Sequence, residues 1–213
     1  MKRLVLAVTL LSLVFTMGCQ KAYYSTMEKM GYDKREILAD RVENARESQE
    51  EAKEQFANAL ERYKSVVSFD GGELEEKYNI LNDEYETSES RAEEVRDRIE
   101  SVEDVAEALF DEWAEEITQY SSSKLRRDSQ NKLTATKGRY NKLIRAMKKA
   151  SAKMDPVLAA FKDQVLYLKH NLNAKAIASL EGELTTIRSD VSTLIKEMER
   201  SIAEADAFIK TLK

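Results

Sequence analysis

The chain has 213 residues and a formal net charge of −5, with charged residues at 34% and apolar residues at 42%. It contains only 6 Gly and 1 Pro, and folds built from strands and tight turns need those residues at their turns. All-β and α/β folds are therefore nearly excluded, and the numerous, regularly spaced apolar residues exclude a disordered chain. The composition predicts an all-α protein made of long helices.

The first eighteen residues have the features of a secretory signal peptide. Two basic residues follow Met1, an apolar run covers residues 4–15 with two polar interruptions, and Gly18 precedes Cys19. The run is shorter than the roughly 20 residues that a membrane-spanning helix needs. The junction resembles a bacterial lipobox, although Thr16 and Met17 stand where Leu and a small residue are commonest.

The lipobox resemblance implies cleavage between Gly18 and Cys19 and acylation of Cys19, whose acyl chains would anchor the chain stably in a membrane. The alternative is an incidental thiol in a transmembrane anchor. Gln20 follows the cysteine, and by resemblance to enterobacterial sorting rules this favours the outer membrane, with the body in the periplasm. Since Cys19 is the only cysteine, the mature chain is expected to have no disulfide and no Cys-ligated zinc.

Residues 19–32 are interpreted as the lipid anchor and a juxtamembrane tether. Tyr23 and Tyr24, with Met27 and Met30, give this segment an amphipathic character, and Tyr favours the membrane interface. An equally weighted alternative is that these residues pack on the end of the following domain.

From residue 33 onward, apolar residues recur in alternating steps of three and four, which is the pattern of coiled-coil helices. The stripes and their breaks predict helices over residues 34–67, 73–120, 124–170 and 174–213. Pro156 lies inside the third stripe, whose register continues on both sides, so a kink is expected there. Gln49 and Ser88 are the polar members of the first two stripes.

Short connections force each helix back along its predecessor. The predicted fold of residues 33–213 is an elongated, antiparallel, up-down-up-down four-helix coiled-coil bundle, either monomeric or a coiled-coil dimer. The rival arrangement is an open three-helix layout that dimerises, as in membrane-curving crescent domains.

Charge is divided between the two halves of the chain. Residues 19–120 carry 13 basic and 29 acidic groups, whereas residues 121–213 carry 19 basic and 10 acidic groups. A face of the basic third helix is a candidate site for an anionic partner, and its members are Arg139, Lys142, Arg145, Lys148 and Lys149. The favoured interpretation is that this helix pairs with the acidic second helix, and the alternative is binding to anionic lipid or polymer. Nucleic acid is not an expected partner, because the sequence has no aromatic and basic motif for single strands.

Residues that carry enzyme chemistry are scarce. His170 is the only histidine and is predicted at a helix end, where a cation is favoured by the helix dipole. The sequence has no Gly-rich phosphate loop, and no Glu-x-x-His pair of the di-iron bundles. We therefore expect no catalytic residues, no metal and no cofactor.

Six stretches are more specific than the heptad pattern. They are residues 32–38, 41–46, 49–56, 106–113, 156–158 and 168–174. Together they resemble a proteobacterial family of uncharacterised, DUF-type helical lipoproteins, over nearly the whole mature chain. The resemblance implies an envelope location and a coiled-coil fold, with no activity or functional residues to transfer.

These features predict a non-enzymatic envelope lipoprotein with a scaffold role, held to the membrane by its lipid anchor. A protein or a cell-wall polymer is the expected partner. The alternative function is a peripheral membrane-binding or membrane-remodelling module that uses the basic third helix.

Overall fold

The structure is a computed structural model that describes residues 33–68, 74–171 and 174–212. Within these ranges the chain forms five helices and no strand. The helices are α1 (Lys34–Ser68), α2 (Leu74–Gln119), α3 (Ser123–Ala152), α4 (Met154–His170) and α5 (Ala174–Leu212). Helices α3 and α4 follow each other along one side, so the predicted all-α four-helix bundle is confirmed.

The predicted third helix, residues 124–170, is present as two helices separated by the single residue Lys153, so the predicted kink is found three residues before Pro156. Pro156 explains the position of this break. Its ring would clash with the carbonyl of Ala152, four residues earlier, and it has no N–H to donate. The chain therefore ends α3 at Ala152 and starts α4 so that Pro156 falls in the first turn, where an N–H has no partner within the helix.

Polar side chains define the starts of two helices. Asp33 Oδ1 accepts a hydrogen bond from the backbone N–H of Arg35 at 2.9 Å, at the start of α1. Ser122 Oγ accepts from the backbone N–H of Leu125 at 3.4 Å, at the start of α3. Each bond satisfies one of the donors that the first turn of a helix leaves unpaired.

Neighbouring helices run in opposite directions, as the partners of α1 demonstrate. Its start meets the end of α2, because Lys34 Nζ lies 2.9 Å from Glu112 Oε1. Towards its other end, Tyr63 Oη donates to the Leu180 carbonyl oxygen near the start of α5, at 2.7 Å. Helix α1 packs against α2 and α5, and the α3–α4 pair packs against the same two helices. The four sides of the bundle are thus α1, α2, α3–α4 and α5 in turn.

The core follows the predicted stripes and includes further buried apolar residues beside them. Leu38, Phe56, Met147 and Leu194 are among its completely buried members, and each such side chain contributes roughly 1.5–3 kcal/mol of hydrophobic stabilisation. The two predicted polar members, Gln49 and Ser88, are also completely buried. The heptad pattern therefore identified the buried face even where its residues are polar.

Candidate functional site

The predicted lipidation site lies outside the described residues. Gly18, Cys19 and the tether over residues 19–32 all precede Asp33, the first residue of the described chain. Cleavage at Gly18–Cys19 and acylation of Cys19 therefore remain predictions. The described part of the chain shows where the tether joins the bundle, which is at the end where α1 starts and α5 finishes.

The candidate basic face lies on the outside of α3, and all five of its members are exposed. Three of them form ion pairs with neighbouring helices. These pairs are Lys142 Nζ with Glu204 Oε1 at 2.7 Å, Lys148 Nζ with Glu103 Oε1 at 2.6 Å, and Lys149 Nζ with Glu197 Oε1 at 2.8 Å. Much of the face is thus paired within the protein, but only the Lys148 pair is to α2, the helix that the favoured interpretation named.

The partner helix is mainly α5, which is a correction to the pairing predicted from net charge. Lys142 and Lys149 are seven residues apart and meet Glu204 and Glu197, which are also seven residues apart on α5. The two antiparallel helices therefore match charges once per heptad. The pKa of the Glu197 carboxyl is lowered, and the hydrogen bond from Lys149 is the largest cause of this shift. The sequence contains both seven-residue spacings, but it does not show which helix faces which.

Two members of the face are not neutralised in this way. Arg139 and Arg145 are exposed, and neither has an ion-pair partner among the residues that the structure describes. They lie on the same helix as Tyr140, whose ring packs edge-on against Phe110 at a centroid distance of 5.3 Å. Burial, followed by the charge of carboxylates on α2, raises the pKa of Tyr140 to about 12. The α3 helix therefore separates an uncharged core side from a cationic outer side.

A surface cleft of about 420 Å³ lies between α2 and the break at Lys153. Ile99 is one of its lining residues, and two ion pairs lie across it. In the first pair the cation, Lys148, is on α3 and the carboxylate, Glu103, is on α2. In the second pair the cation is on α2. In that second pair, Arg96 Nη2 lies 2.6 Å from Asp155 Oδ1. Because both cations already have carboxylate partners, the cleft offers no unpaired cation to an anionic ligand.

A second cleft, of about 220 Å³, lies at the end of the bundle where α1 starts. Asp33, Trp113 and Leu212 are among its lining residues, which come from the start of α1, the end of α2 and the end of α5. The Trp113 indole N–H donates to Ser129 Oγ at 2.8 Å and so ties α2 to α3 near this cleft. This cleft shows that both ends of the described chain meet at one end of the bundle.

Groups suited to catalysis or metal binding are dispersed. His170 is exposed at the end of α4. Across the described ranges, no group of three or more His, Cys, Asp or Glu residues is arranged to hold a metal ion. In the same ranges, no helix combines the length and the apolar character needed to cross a membrane.

The chain belongs to the family described as "Protein of unknown function (DUF2959)", whose match covers residues 23–212. The predicted resemblance to an uncharacterised family is confirmed to that extent. No curated protein and no solved structure matches the chain significantly. The match begins ten residues before Asp33, so the family domain includes most of the predicted tether.

Proposed function

We propose that this member of the DUF2959 family is a non-enzymatic envelope lipoprotein, anchored through Cys19 and acting as a rigid scaffold. The observation that carries the proposal is the apolar run over residues 4–15, followed three residues later by Gly18–Cys19. The proposed location is the outer membrane, with the body in the periplasm, as Gln20 favours. The proposed partner is a protein or a cell-wall polymer.

The shape of the bundle supports a scaffold role. Helix α2 has 46 residues and so is about 69 Å long. The described chain starts at one end of this rod, so an anchor before Asp33 would hold the rod by that end. A lipid-anchored rod of this length would place its far end well outside the membrane interface.

Acylation of Cys19 is tested directly in cells. The full-length protein is expected to incorporate radiolabelled palmitate and to fractionate with membranes. The Cys19→Ser variant should lose the label and remain unprocessed, because the acceptor thiol is absent. A wild-type protein that takes up no palmitate, or a variant processed like the wild type, would contradict the lipoprotein proposal.

The scaffold role makes a further statement about activity. The purified, acylated protein should neither hydrolyse ATP nor retain stoichiometric metal. The non-enzymatic proposal would be overturned by an activity that co-purifies with the protein and is abolished by the substitution of one polar residue.

One observation keeps the alternative, a membrane-binding module, worth testing: Arg139 and Arg145 are exposed without an ion-pair partner in the described chain. If the basic face binds lipid, the unacylated chain from Gln20 onward should float with anionic vesicles, and salt should weaken this binding. Replacing the five cations of the face by Gln should then abolish flotation without loss of helicity. We expect the unacylated chain to show no binding through this face, because three of its cations are paired within the bundle.

A further inference from the structure

Within the described chain, the turn between α2 and α3 projects past the start of α1. Lys34, the first residue of α1, is level with Glu112, since their side chains are joined at 2.9 Å. Helix α2 continues for seven more residues to Gln119, which adds about 10 Å. Residues 118–128 are all exposed. We call this segment, residues 118–128, the tip.

The tip exposes two large apolar side chains. Leu125 is 54% exposed and Tyr120 is 39% exposed. Among the described residues only two other large apolar side chains are comparably exposed, Leu166 at 48% and Tyr167 at 40%. Those two lie near the end of α4, at the opposite end of the rod. The tip is therefore one of two places where the described surface presents an apolar pair.

Three cations are close to Leu125 in the sequence of the tip. Lys124, Arg126 and Arg127 lie within the same turn and a half of chain. Arg126 has a structural role, because its Nη2 donates to the Tyr120 carbonyl oxygen at 2.6 Å and closes the turn. Lys124 and Arg127 are exposed without an ion-pair partner in the described chain.

The carboxylates near the tip do not neutralise these cations. Asp128 pairs with Lys132, one turn further along α3, at 3.0 Å. Glu116 lines the cleft beside Asp33. Glu115 is exposed one turn before the tip, on α2. Among the described residues, the outermost part of the rod at this end is thus apolar and cationic.

We propose that the tip is a second membrane contact, in which Tyr120 and Leu125 enter the interface of a bilayer and Lys124 and Arg127 bind its anionic headgroups. Tyr and cationic residues are favoured at membrane interfaces, and basic residues near an anionic leaflet are attracted to it. The inference rests on the proposed function in one respect, since it needs the start of α1 to face the membrane. Its consequence is that the rod is held at two points and takes a defined orientation.

The length of the chain before the bundle permits this contact. Thirteen residues lie between Cys19 and Asp33, and the fourteen steps from one Cα to the next span at most about 48 Å when extended. The tip projects only about 10 Å past the start of α1. The anchor and the tip can therefore reach one bilayer surface together, and charge complementarity selects an anionic surface.

The experiment measures the environment of a fluorophore at each end of the rod. The full chain carries Cys19→Ser, so that a nitrobenzoxadiazole probe labels only Leu125→Cys or, as the matched control, Leu166→Cys. The uncleaved apolar run holds both proteins on vesicles. In equimolar phosphatidylcholine and phosphatidylglycerol, the probe at position 125 should shift to the blue and be quenched by nitroxide-labelled lipid. The probe at position 166 should report water.

Charge variants identify the headgroup contact. Replacing Lys124 and Arg127 by Gln should weaken tip binding about 30-fold, since each cation at an anionic surface contributes about a factor of five. Replacing Arg139 and Arg145 by Gln removes the same charge from the middle of α3 and should leave the signal at position 125 unchanged. With vesicles of phosphatidylcholine alone, the protein that keeps Lys124 and Arg127 should show the same loss of signal at position 125. Equal losses with both charge variants would overturn a specific role for the tip.

The inference is overturned if the probe at position 125 shows the same emission and the same lack of lipid quenching as the probe at position 166. This holds whether or not the protein floats with the vesicles. Protection of position 125 only in native envelope membranes would also overturn it, in favour of a protein partner. Failure here is distinct from failure of the proposed function. Palmitate labelling of Cys19 tests the anchor in the wild-type chain, and the vesicle assay does not depend on acylation.

Discussion

Tyr63 joins three helices in the core, near the end of α1, and its replacement by Phe is a sharp test of the packing. The side chain is only 1% exposed. Its hydroxyl donates to the Leu180 carbonyl oxygen of α5 at 2.7 Å, and its ring stacks on Phe161 of α4 at a centroid distance of 6.3 Å. The variant removes the hydroxyl and keeps the ring, so it isolates the hydrogen bond.

At neutral pH the variant should be about 1 kcal/mol less stable to unfolding, which is the net value of one intramolecular hydrogen bond. The Leu180 carbonyl is in the interior of α5 and keeps its helical hydrogen bond, so no buried acceptor is left unpaired. The cost should therefore stay near this value and not reach that of a buried unsatisfied group.

Alkaline pH should reverse this difference. Burial, and then the charge of Glu183, raises the pKa of Tyr63 in the folded protein. As the pH rises, the unfolded chain loses the Tyr63 hydroxyl proton first, near pH 10, because its pKa is the lower one. The stability that the folded protein gains from keeping this residue protonated is therefore complete below pH 10 and is lost as the pH rises above it. Between neutral pH and about pH 11, ionisation of this residue should remove about 1.4 kcal/mol from the wild type and nothing from the variant.

Urea unfolding followed by far-ultraviolet circular dichroism, at neutral pH and at about pH 11, measures both differences. The gap between wild type and Tyr63→Phe should close or change sign at the higher pH. Tyr167→Phe is the matched control, because Tyr167 is 40% exposed at the surface of α4, and it should follow the wild type. A gap that is the same at both pH values would refute the argument from burial.

Three further results are expected. Gln49→Met should raise the free energy of unfolding in urea by about 1–3 kcal/mol. The reason is that both polar atoms of this completely buried side chain lack a hydrogen-bond partner in the described chain. A lower free energy of unfolding would show that the amide has hydrogen-bond partners. Gln55→Cys with Ser88→Cys, in a background without the native cysteine, should be joined within one chain by a short bifunctional thiol reagent, as measured by mass spectrometry, since Gln55 Nε2 lies 3.5 Å from Ser88 Oγ. Crosslinks only between chains would indicate exchanged helices. Lys142→Gln with Lys149→Gln should cost no more than about 1 kcal/mol per pair, and high salt should remove the difference, because both lysines are more than half exposed; a larger, salt-independent loss of thermal stability would contradict this.

Local chemistry allowed the sequence to determine the helices and the buried face of each one. Alternating steps of three and four place one stripe of residues on one side of a helix, whatever the neighbours are. Gln49 and Ser88 were assigned to the core by this spacing alone, and both are completely buried. Three of the four predicted helices match the structure within one residue at each end of the described ranges.

The break between α3 and α4 lies before Pro156, because the proline ring clashes with a carbonyl group four residues earlier in the helix. The heptad register continues through Pro156, which predicted a kink centred there. The interruption lies instead at Lys153, because proline acts on the carbonyl four residues before it. Register alone could not show this, since a helix that stops and restarts within one residue keeps its stripe nearly in phase.

Only the tertiary structure decided which charges meet. Net charge favoured pairing of α3 with the strongly acidic α2, yet Lys142 and Lys149 meet Glu204 and Glu197 of the nearly neutral α5. An ion pair depends on the rotation and axial register of two helices, which long-range packing sets, and not on their total charge. The projection of the α2–α3 turn past the start of α1 has the same origin: helix lengths are local, but the level at which two helices align depends on the packing of all four sides of the bundle.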